Sequence, residues 1–283
     1  MNFVSQDRRP VLGIIGAGQL ARMMAHAATD LGVGTRVLSR DPEASATSAA
    51  EVVVGDWDDP AAVVAFAETC TAVTFDHELV GDAVLEALSG SGARVRPHPA
   101  AMRRASDKVE QRSVAAACGL ATAPHRLVRS AQELTGAARD LGLPVVVKRA
   151  RGGYDGRGIQ WVRDHDELWT LCAEGVDDVH VVEPDLAIDA ELAITVARHA
   201  DGSAVAYPAV ETHQRDGTCR TVLAPAILAP GIDAALRTAA LAIAAELDHV
   251  GVLSLEVFVV EGELLLNELA PRPHNSYHHA EAA

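Results

Sequence analysis

Two glutamates, Glu256 and Glu268, stand where a β-hairpin brings them face to face. The run Leu253-Ser254-Leu255-Glu256-Val257-Phe258-Val259-Val260 is followed by Glu261-Gly262-Glu263 and then by Leu264-Leu265-Leu266-Asn267-Glu268-Leu269. Strand side chains alternate faces, so Ser254 and Glu256 share one face and the intervening aliphatic residues share the other. A three-residue loop centred on Gly262 places Glu256 directly opposite Glu268, with Cβ atoms about 5 Å apart. Like charges at that distance repel unless a cation lies between them. One or two carboxylates joined by substrate phosphates are the usual setting for Mg²⁺. Asn267 points away from this face unless the strand bulges, and spacing alone leaves both arrangements open. A solvated sheet face with incidental glutamates would not need such apolar flanks.

A second chemical signal follows the apolar strand Val145 to Val147: Lys148-Arg149-Ala150-Arg151-Gly152-Gly153-Tyr154-Asp155-Gly156-Arg157-Gly158. Glycines remove side chains, so backbone amides can approach phosphate oxygens, and Lys148 at the strand end supplies a point charge. A surface hairpin loop explains the glycines but not the concentrated positive charge. The spacing to a GK[ST] ending is absent, so this is no Walker A loop. A third segment, Pro271-Arg272-Pro273-His274-Asn275-Ser276, holds Arg272, His274 and Asn275 on a backbone stiffened by two prolines, a set suited to a small anion or phosphorylated intermediate. Near the start, Gly16-Ala17-Gly18-Gln19-Leu20-Ala21 forms a G-x-G-x-x-A turn whose amides and helix dipole can receive an anion. With Arg40-Asp41 after the second strand, that turn alone also fits a nicotinamide dehydrogenase, or a close-packed turn with no ligand.

These residues need elements to position them. Val11 to Ile15, Thr35 to Leu38, Val52 to Val54, Ala72 to Phe75 and Arg94 to Arg96 read as short strands separated by helical stretches at Gln19 to Leu31, Pro60 to Thr69 and Gly81 to Leu88. That alternation predicts a parallel, doubly wound α/β sheet. From Ser106 a new helix carries Lys108 and Arg112, which sets a boundary near residue 105. Strands at Leu127 to Val128, Val145 to Lys148, Ile159 to Val162 and His180 to Val182, with helices at Ala131 to Leu141 and Asp164 to Ala173, predict a small α+β unit. Strands at Glu191 to Arg198, Ser203 to Pro208 and Gly251 to Leu269 flank a helix from Ile232 to Leu247.

Composition narrows the partners. The 283-residue chain carries a net charge of −15, the opposite of what nucleic acid or an anionic membrane surface attracts, so neither is expected as a partner. Cys70, Cys118, Cys172 and Cys219 lie far apart without CxxC spacing, suggesting neither zinc nor disulfides and fitting a reducing cytoplasm. No apolar run of spanning length occurs. His26 and His249 lack metal-like spacing and read as packing or surface residues.

Taken in order, several motifs resemble the N5-carboxyaminoimidazole ribonucleotide synthases, from Gly13 to Ser276. They are Gly16-x-Gly18-Gln19-Leu20-Ala21-Arg22-Met23, Thr74-Phe75-Asp76-His77-Glu78, Arg151 to Gly158, Val210-Glu211 with Arg215-Asp216-Gly217, and Asn267 to Ser276. The resemblance implies an ATP-grasp fold: a pre-ATP-grasp α/β domain over 1–105, and an ATP-grasp domain over 106–283. The latter would comprise a lid at about 123–182 and a mostly antiparallel catalytic sheet at about 183–283. It also implies ATP-dependent carboxylation of the amine of aminoimidazole ribonucleotide by bicarbonate through carboxyphosphate, in purine biosynthesis. On that resemblance Lys108 and Lys148 hold ATP phosphates, aided by Gly153, Gly156 and Gly158. Glu183 and the Leu186 backbone hold adenine, and Glu191 the ribose. Glu256 and Glu268 hold Mg²⁺ or Mn²⁺. Tyr154, Asp155, Arg272, His274 and Asn275 line the pocket for bicarbonate and the amine, while Gln19 and Glu78 face the ribonucleotide. A cytoplasmic homodimer is the family's habit.

Two departures shape the expectations. Family members continue into a further small domain that helps bind the ribonucleotide phosphate, whereas this sequence ends at Ala283, and Tyr277 stands where the family has glycine. Both lead to an expectation of firm ATP and Mg²⁺ binding with weak or absent turnover of aminoimidazole ribonucleotide. The alternatives are a truncated ATP-grasp relative that ligates a different amine and acid, or a nucleotide-binding subunit without independent activity.

Overall fold

The computed structural model describes residues 9–153, 158–215 and 218–282. Its contacts divide the chain into two compact units, one of Met1–Arg103 with Arg272–Ala283, the other of Arg104–Pro271. The closing segment therefore groups with the amino-terminal unit, whereas the motif order alone runs the second domain on to the end.

The first unit is a four-stranded parallel sheet in the order β3-β2-β1-β4, from β1 (Val11–Ile15), β2 (Gly34–Ser39), β3 (Glu51–Val54) and β4 (Ala72–Phe75). Crossovers run through α1 (Gln19–Asp30) and α2 (Pro60–Glu68), followed by α3 (Asp82–Gly90) and α4 (Pro99–Ala105). Neighbouring residues of β1 serve opposite faces: Ile14 packs with Ala17, Ala21 and Val37, and Ile15 with Leu38, Phe66 and Phe75. Burial on both faces is why β1 reads as an unbroken apolar run. Arg94 to Arg96 contributes only an isolated parallel bridge, Val73 to Val95, where a full strand is expected from sequence. Asp59 caps α2 through Ala61 N with Pro60 in the first turn. Such a cap contributes about 1 kcal/mol.

The second unit opens with α5 (Lys108–Ala117), capped by Asp107 accepting from Val109 N. A short β5 (Ala121–Thr122) follows, then β6 (Arg126–Val128), α6 (Ala131–Leu141), β7 (Val145–Arg149), β8 (Ile159–Val162), α7 (His165–Glu174) and β9 (His180–Pro184). Strands β6-β9-β7-β8 form an antiparallel sheet, with α6 and α7 packed on the face carrying Val145, Val147 and Val182. Ser130 and Glu133 at α6, and Asp164 and Glu167 at α7, form capping boxes in which each glutamate reaches back to a backbone N–H.

The remaining elements are β10 (Ala190–Arg198), β11 (Ala204–Ala206), β12 (Val210–Arg215), β13 (Thr218–Leu223), α8 (Pro230–Glu246), β14 (Gly251–Val260) and β15 (Glu263–Ala270). They make a sheet in the order β13-β12-β10-β14-β15-β5, antiparallel except where β15 meets β5, with β11 added to β10. Helices α5 and α8 cover one face, where Val114, Leu236 and Ile243 share a core with Leu253 and Leu255 of β14. The opposite face is left for polar chemistry. Among the described residues no helix is long and apolar enough to cross a membrane.

Candidate active site

The hairpin of β14 and β15 does bring its glutamates together, by a different route from the one spacing suggests. The turn is two residues, with Glu261 at φ 51° and Gly262 at φ 80°, and Val260 pairs with Glu263. Positive φ at both central positions is the turn that matches strand twist, and it displaces the predicted three-residue loop. In that register alone Glu256 would face Asn267. The register shifts between Glu256 and Val257, so Glu256 pairs with Glu268 and Asn267 is the extra residue of a β-bulge. A bulge sets two consecutive residues against one. The Asn267 amide consequently reaches Glu256 Oε2, at 3.3 Å, and accepts from Lys148 Nζ at 3.1 Å.

Cations converge on the same face. Lys148, buried on β7, lies 2.7 Å from Glu183 Oε2, and Lys108, at the first position of α5, lies 3.1 Å from Glu268 Oε1. The Lys148 ammonium also sits 5.7 Å from the centroid of the Phe258 ring. Arg112 pairs with the other oxygen of Glu183. Burial lowers the Lys148 pKa, with Glu183 pulling it back up; burial raises Glu183, but Lys148 and Arg112 outweigh it and hold the carboxyl below its usual value. Breaking such a buried pair by removing one partner costs about 3–5 kcal/mol, whereas exposed pairs such as Arg36–Glu51 are worth about 1 kcal/mol or less. Glu191, opposite Phe258 on β10, shares the face of Glu256; burial and then the Glu256 charge raise its pKa, and Gln214 hydrogen-bonds to it. Two carboxylates and an amide oxygen suit a hard divalent ion that takes its remaining oxygens from phosphates. No cluster of three or more His, Cys, Asp or Glu able to cage a metal occurs among the described residues.

The first unit holds a separate polar cluster. Glu78 binds Arg272 through both oxygens, at 2.5 and 3.0 Å. His274 Nδ1 meets the buried Ser276 hydroxyl at 2.8 Å, and the Asn275 side-chain oxygen is buried with no hydrogen-bond partner among the described residues. Tyr277, the departure from the family glycine, is buried against this unit, its ring 5.1 Å from that of His279. Gln19 is exposed at the start of α1. There Gly18 N donates to Asp76 Oδ2 at 2.6 Å, and a Cβ on Gly16 would lie 1.6 Å from Asp76 Oδ1. The carboxylate of Asp76 thus takes the anion position at the helix start that a dinucleotide pyrophosphate needs. Arg40, at the end of β2, is engaged by Asp56 and Asp58.

Of the other expected residues, Tyr154, Asp155 and Gly156 lie outside the described residues. Gly153 and Gly158 flank them; Gly158 has φ +81°, and a Cβ there would come within 3.3 Å of Gly153 Cα. Leu186 is half-buried between β9 and β10. Sequence reasoning gives no role to Arg112, Gln111 or Gln214. Gln111 binds the carbonyls of Ala105 and Leu269 and so ties α5 to β15. The four-residue spacing of Lys108 and Arg112 on one helical face is the available signal.

Comparison with known proteins agrees with this architecture. Residues 10–106 match the ribonucleotide synthetase preATP-grasp domain family, and residues 113–283 the ATP-grasp domain family. The chain is 41% identical over 276 residues to an N5-carboxyaminoimidazole ribonucleotide synthase of Mycobacterium tuberculosis, covering 95% of this chain and 64% of the relative. It therefore spans just under two thirds of that relative's length. It is 35% identical to the Synechococcus elongatus enzyme of the same name, over 99% of this chain and 71% of that one. Among solved structures, an ADP complex of N5-carboxyaminoimidazole ribonucleotide synthetase superposes with a TM-score of 0.90 at 29% identity, covering 97% of this chain and 74% of the other. The Aspergillus clavatus synthase in complex with ADP and 5-aminoimidazole ribonucleotide gives 0.85 at 30% identity, with 96% and 72% covered. The chain belongs to the N5-carboxyaminoimidazole ribonucleotide synthase family and is built on the ATP-grasp fold.

Proposed function

We propose that this protein is an ATP-dependent carbon–nitrogen ligase that carboxylates the exocyclic amine of 5-aminoimidazole ribonucleotide with bicarbonate, in the cytoplasm and as a homodimer. The observation that carries this reading is the bulged hairpin, which gathers Glu256, Asn267 and Glu268 beside Lys108 and Lys148. A bicarbonate oxygen attacks the γ-phosphorus of ATP, the bond to the β-phosphate oxygen breaks, and ADP leaves. Carboxyphosphate then gives CO2 and phosphate, and the amine adds to the CO2 carbon and loses a proton, forming the carbamate.

In this reading Lys108 and Lys148 hold the phosphates, and Glu191 with Gln214 orients the ribose hydroxyls. Glu256, Asn267 and Glu268 hold Mg²⁺, or Mn²⁺ in its place, which when bound neutralises charge on the transferring phosphoryl group. Lys108 exchanges its Glu268 contact for phosphate oxygens as the nucleotide enters. Arg272, His274 and Asn275, with Tyr154 and Asp155, serve bicarbonate and the amine, and Glu78 orients Arg272. The test is a coupled ADP-release assay with Mg²⁺ and bicarbonate, run with and without aminoimidazole ribonucleotide. ADP release that needs bicarbonate and rises with the ribonucleotide is the expected result; release indifferent to both refutes the proposal.

A further inference from the structure

Behind the two lysines lies a third cation, whose hydrogen bonds among the described residues go to neither strand of the hairpin. Arg112 is 5% exposed, sits one turn after Lys108 on α5, and reaches back so that its Nη1 donates to the Lys108 carbonyl at 2.8 Å. Its Nη2 binds Glu183, whose second oxygen lies 2.7 Å from Lys148 Nζ. One guanidinium therefore contacts the backbone of one phosphate lysine and, through a shared carboxylate, the side chain of the other. Its planar fork can hold both acceptors at fixed angles, which a single ammonium cannot do. Gln111 on the same turn fixes α5 to the Leu269 carbonyl, so the turn bearing Arg112 is itself anchored beside Glu268.

We propose that Arg112 is a positioning residue that sets the separation and direction of Lys108 and Lys148, so that both meet the phosphate chain of a nucleoside triphosphate. This rests on the reading of those lysines as phosphate ligands. Both terminal nitrogens of Arg112 are already engaged, Nη1 by the Lys108 carbonyl and Nη2 by Glu183, and the Glu183 carboxylate is itself spent on cations. The dependence on Arg112 must then grow with the number of phosphates on the ligand. An arginine that merely stabilised the fold would weaken every ligand alike.

The experiment titrates ATP with Mg²⁺, and adenosine, into the wild-type full chain and into R112M, R112K and K148M by calorimetry. For R112M, ATP affinity is expected to fall on the order of 30-fold, the scale of one charge-assisted hydrogen bond, while adenosine affinity stays within about twofold. R112K keeps the charge but loses one of the two acceptors, and is expected to recover ATP affinity to within about fivefold of wild type. If R112M does not fold, the intermediate ATP loss of R112K with unchanged adenosine binding carries the test. ATP binding by R112M at wild-type strength, or equal losses for ATP and adenosine in either variant, overturns the positioning role. K148M separates the two failures: ATP binding that is absent in wild type, or unaffected in K148M, overturns the phosphate-lysine reading and the proposal with it.

Discussion

The two units use the same side-chain types in opposite ways. In the second, carboxylates and cations alternate across a sheet face, with Lys108 on Glu268, Lys148 shared between Glu183 and Asn267, and Arg112 on Glu183. In the first, the glycine turn that looks most like a phosphate site is closed by the unit's own Asp76, and Arg272 is held by both oxygens of Glu78. A helix start with small residues is an anion site only if no carboxylate of the same domain reaches it first. On the function proposed above, the phosphates of ATP accordingly belong to the second unit.

Glu268→Gln gives the largest expected effect. It removes one of the paired carboxylates and the partner of Lys108, and ATP turnover is expected to fall on the order of 1000-fold. Glu78→Gln, in the other unit, is expected to leave ATP affinity within about twofold, because its side-chain hydrogen bonds among the described residues go to Arg272. Equal losses of nucleotide binding in the two variants would erase the distinction between the units.

Acid divides them next. His249 is fully buried; its Nε2 lies 3.0 Å from the Val252 carbonyl and its Nδ1 has no partner among the described residues, so burial lowers its pKa from 6.5 to about 4. The native histidine stays neutral in a range where the unfolded one has taken a proton. Stability of the second unit therefore falls as pH drops from about 6.5 towards 4, by about 3 kcal/mol in all. In the first unit burial pushes Asp76 up and His77 down, so their contributions oppose one another. Urea unfolding of wild type and His249→Gln across this range checks the slope, which the substitution should flatten.

Arg272→Met sharpens the comparison from the other side. It leaves the enclosed Glu78 without its bidentate partner, and a stability loss of about 2 kcal/mol is expected in the first unit. ATP affinity should remain unchanged while turnover with the ribonucleotide falls; a parallel fall in ATP affinity would place Arg272 with the nucleotide.

Much of this is legible in the sequence because apolar runs and glycine turns speak through local rules. Strands β1 to β4 follow from residue spacing, and so does the meeting of Glu256 with Glu268, although the loop that spacing assigns to it is one residue too long. What spacing cannot give are features set by tertiary partners. Strands β12 and β13 escape a reading by pattern because Glu211, Thr212, His213, Gln214 and Arg215 carry no apolar alternation, and β12 holds its place through pairing with β10 and β13. The closure of α1 by Asp76 joins residues 58 apart in the chain. Arg112 looks like any basic residue of an exposed helix until Glu183 arrives from β9.

The hairpin supplies the finest test, because two differences of register cancel there. A three-residue loop without a bulge and a two-residue turn with one both pair Glu256 with Glu268, but only the second brings Asn267 onto the site face. Gly262 has φ +80°, and a Cβ added there would meet nothing within 4 Å, so alanine is strained for conformational reasons alone. Gly262→Ala is expected to cost about 1 kcal/mol, seen as a melting-point drop of about 2–4 °C. If the bulge is pinned by the bonds of Asn267 to Lys148 and Glu256, ATP affinity stays within about twofold of wild type. A loss of nucleotide affinity beyond that would mean that the turn sets the register, and that Asn267 leaves the site when the loop relaxes to three residues.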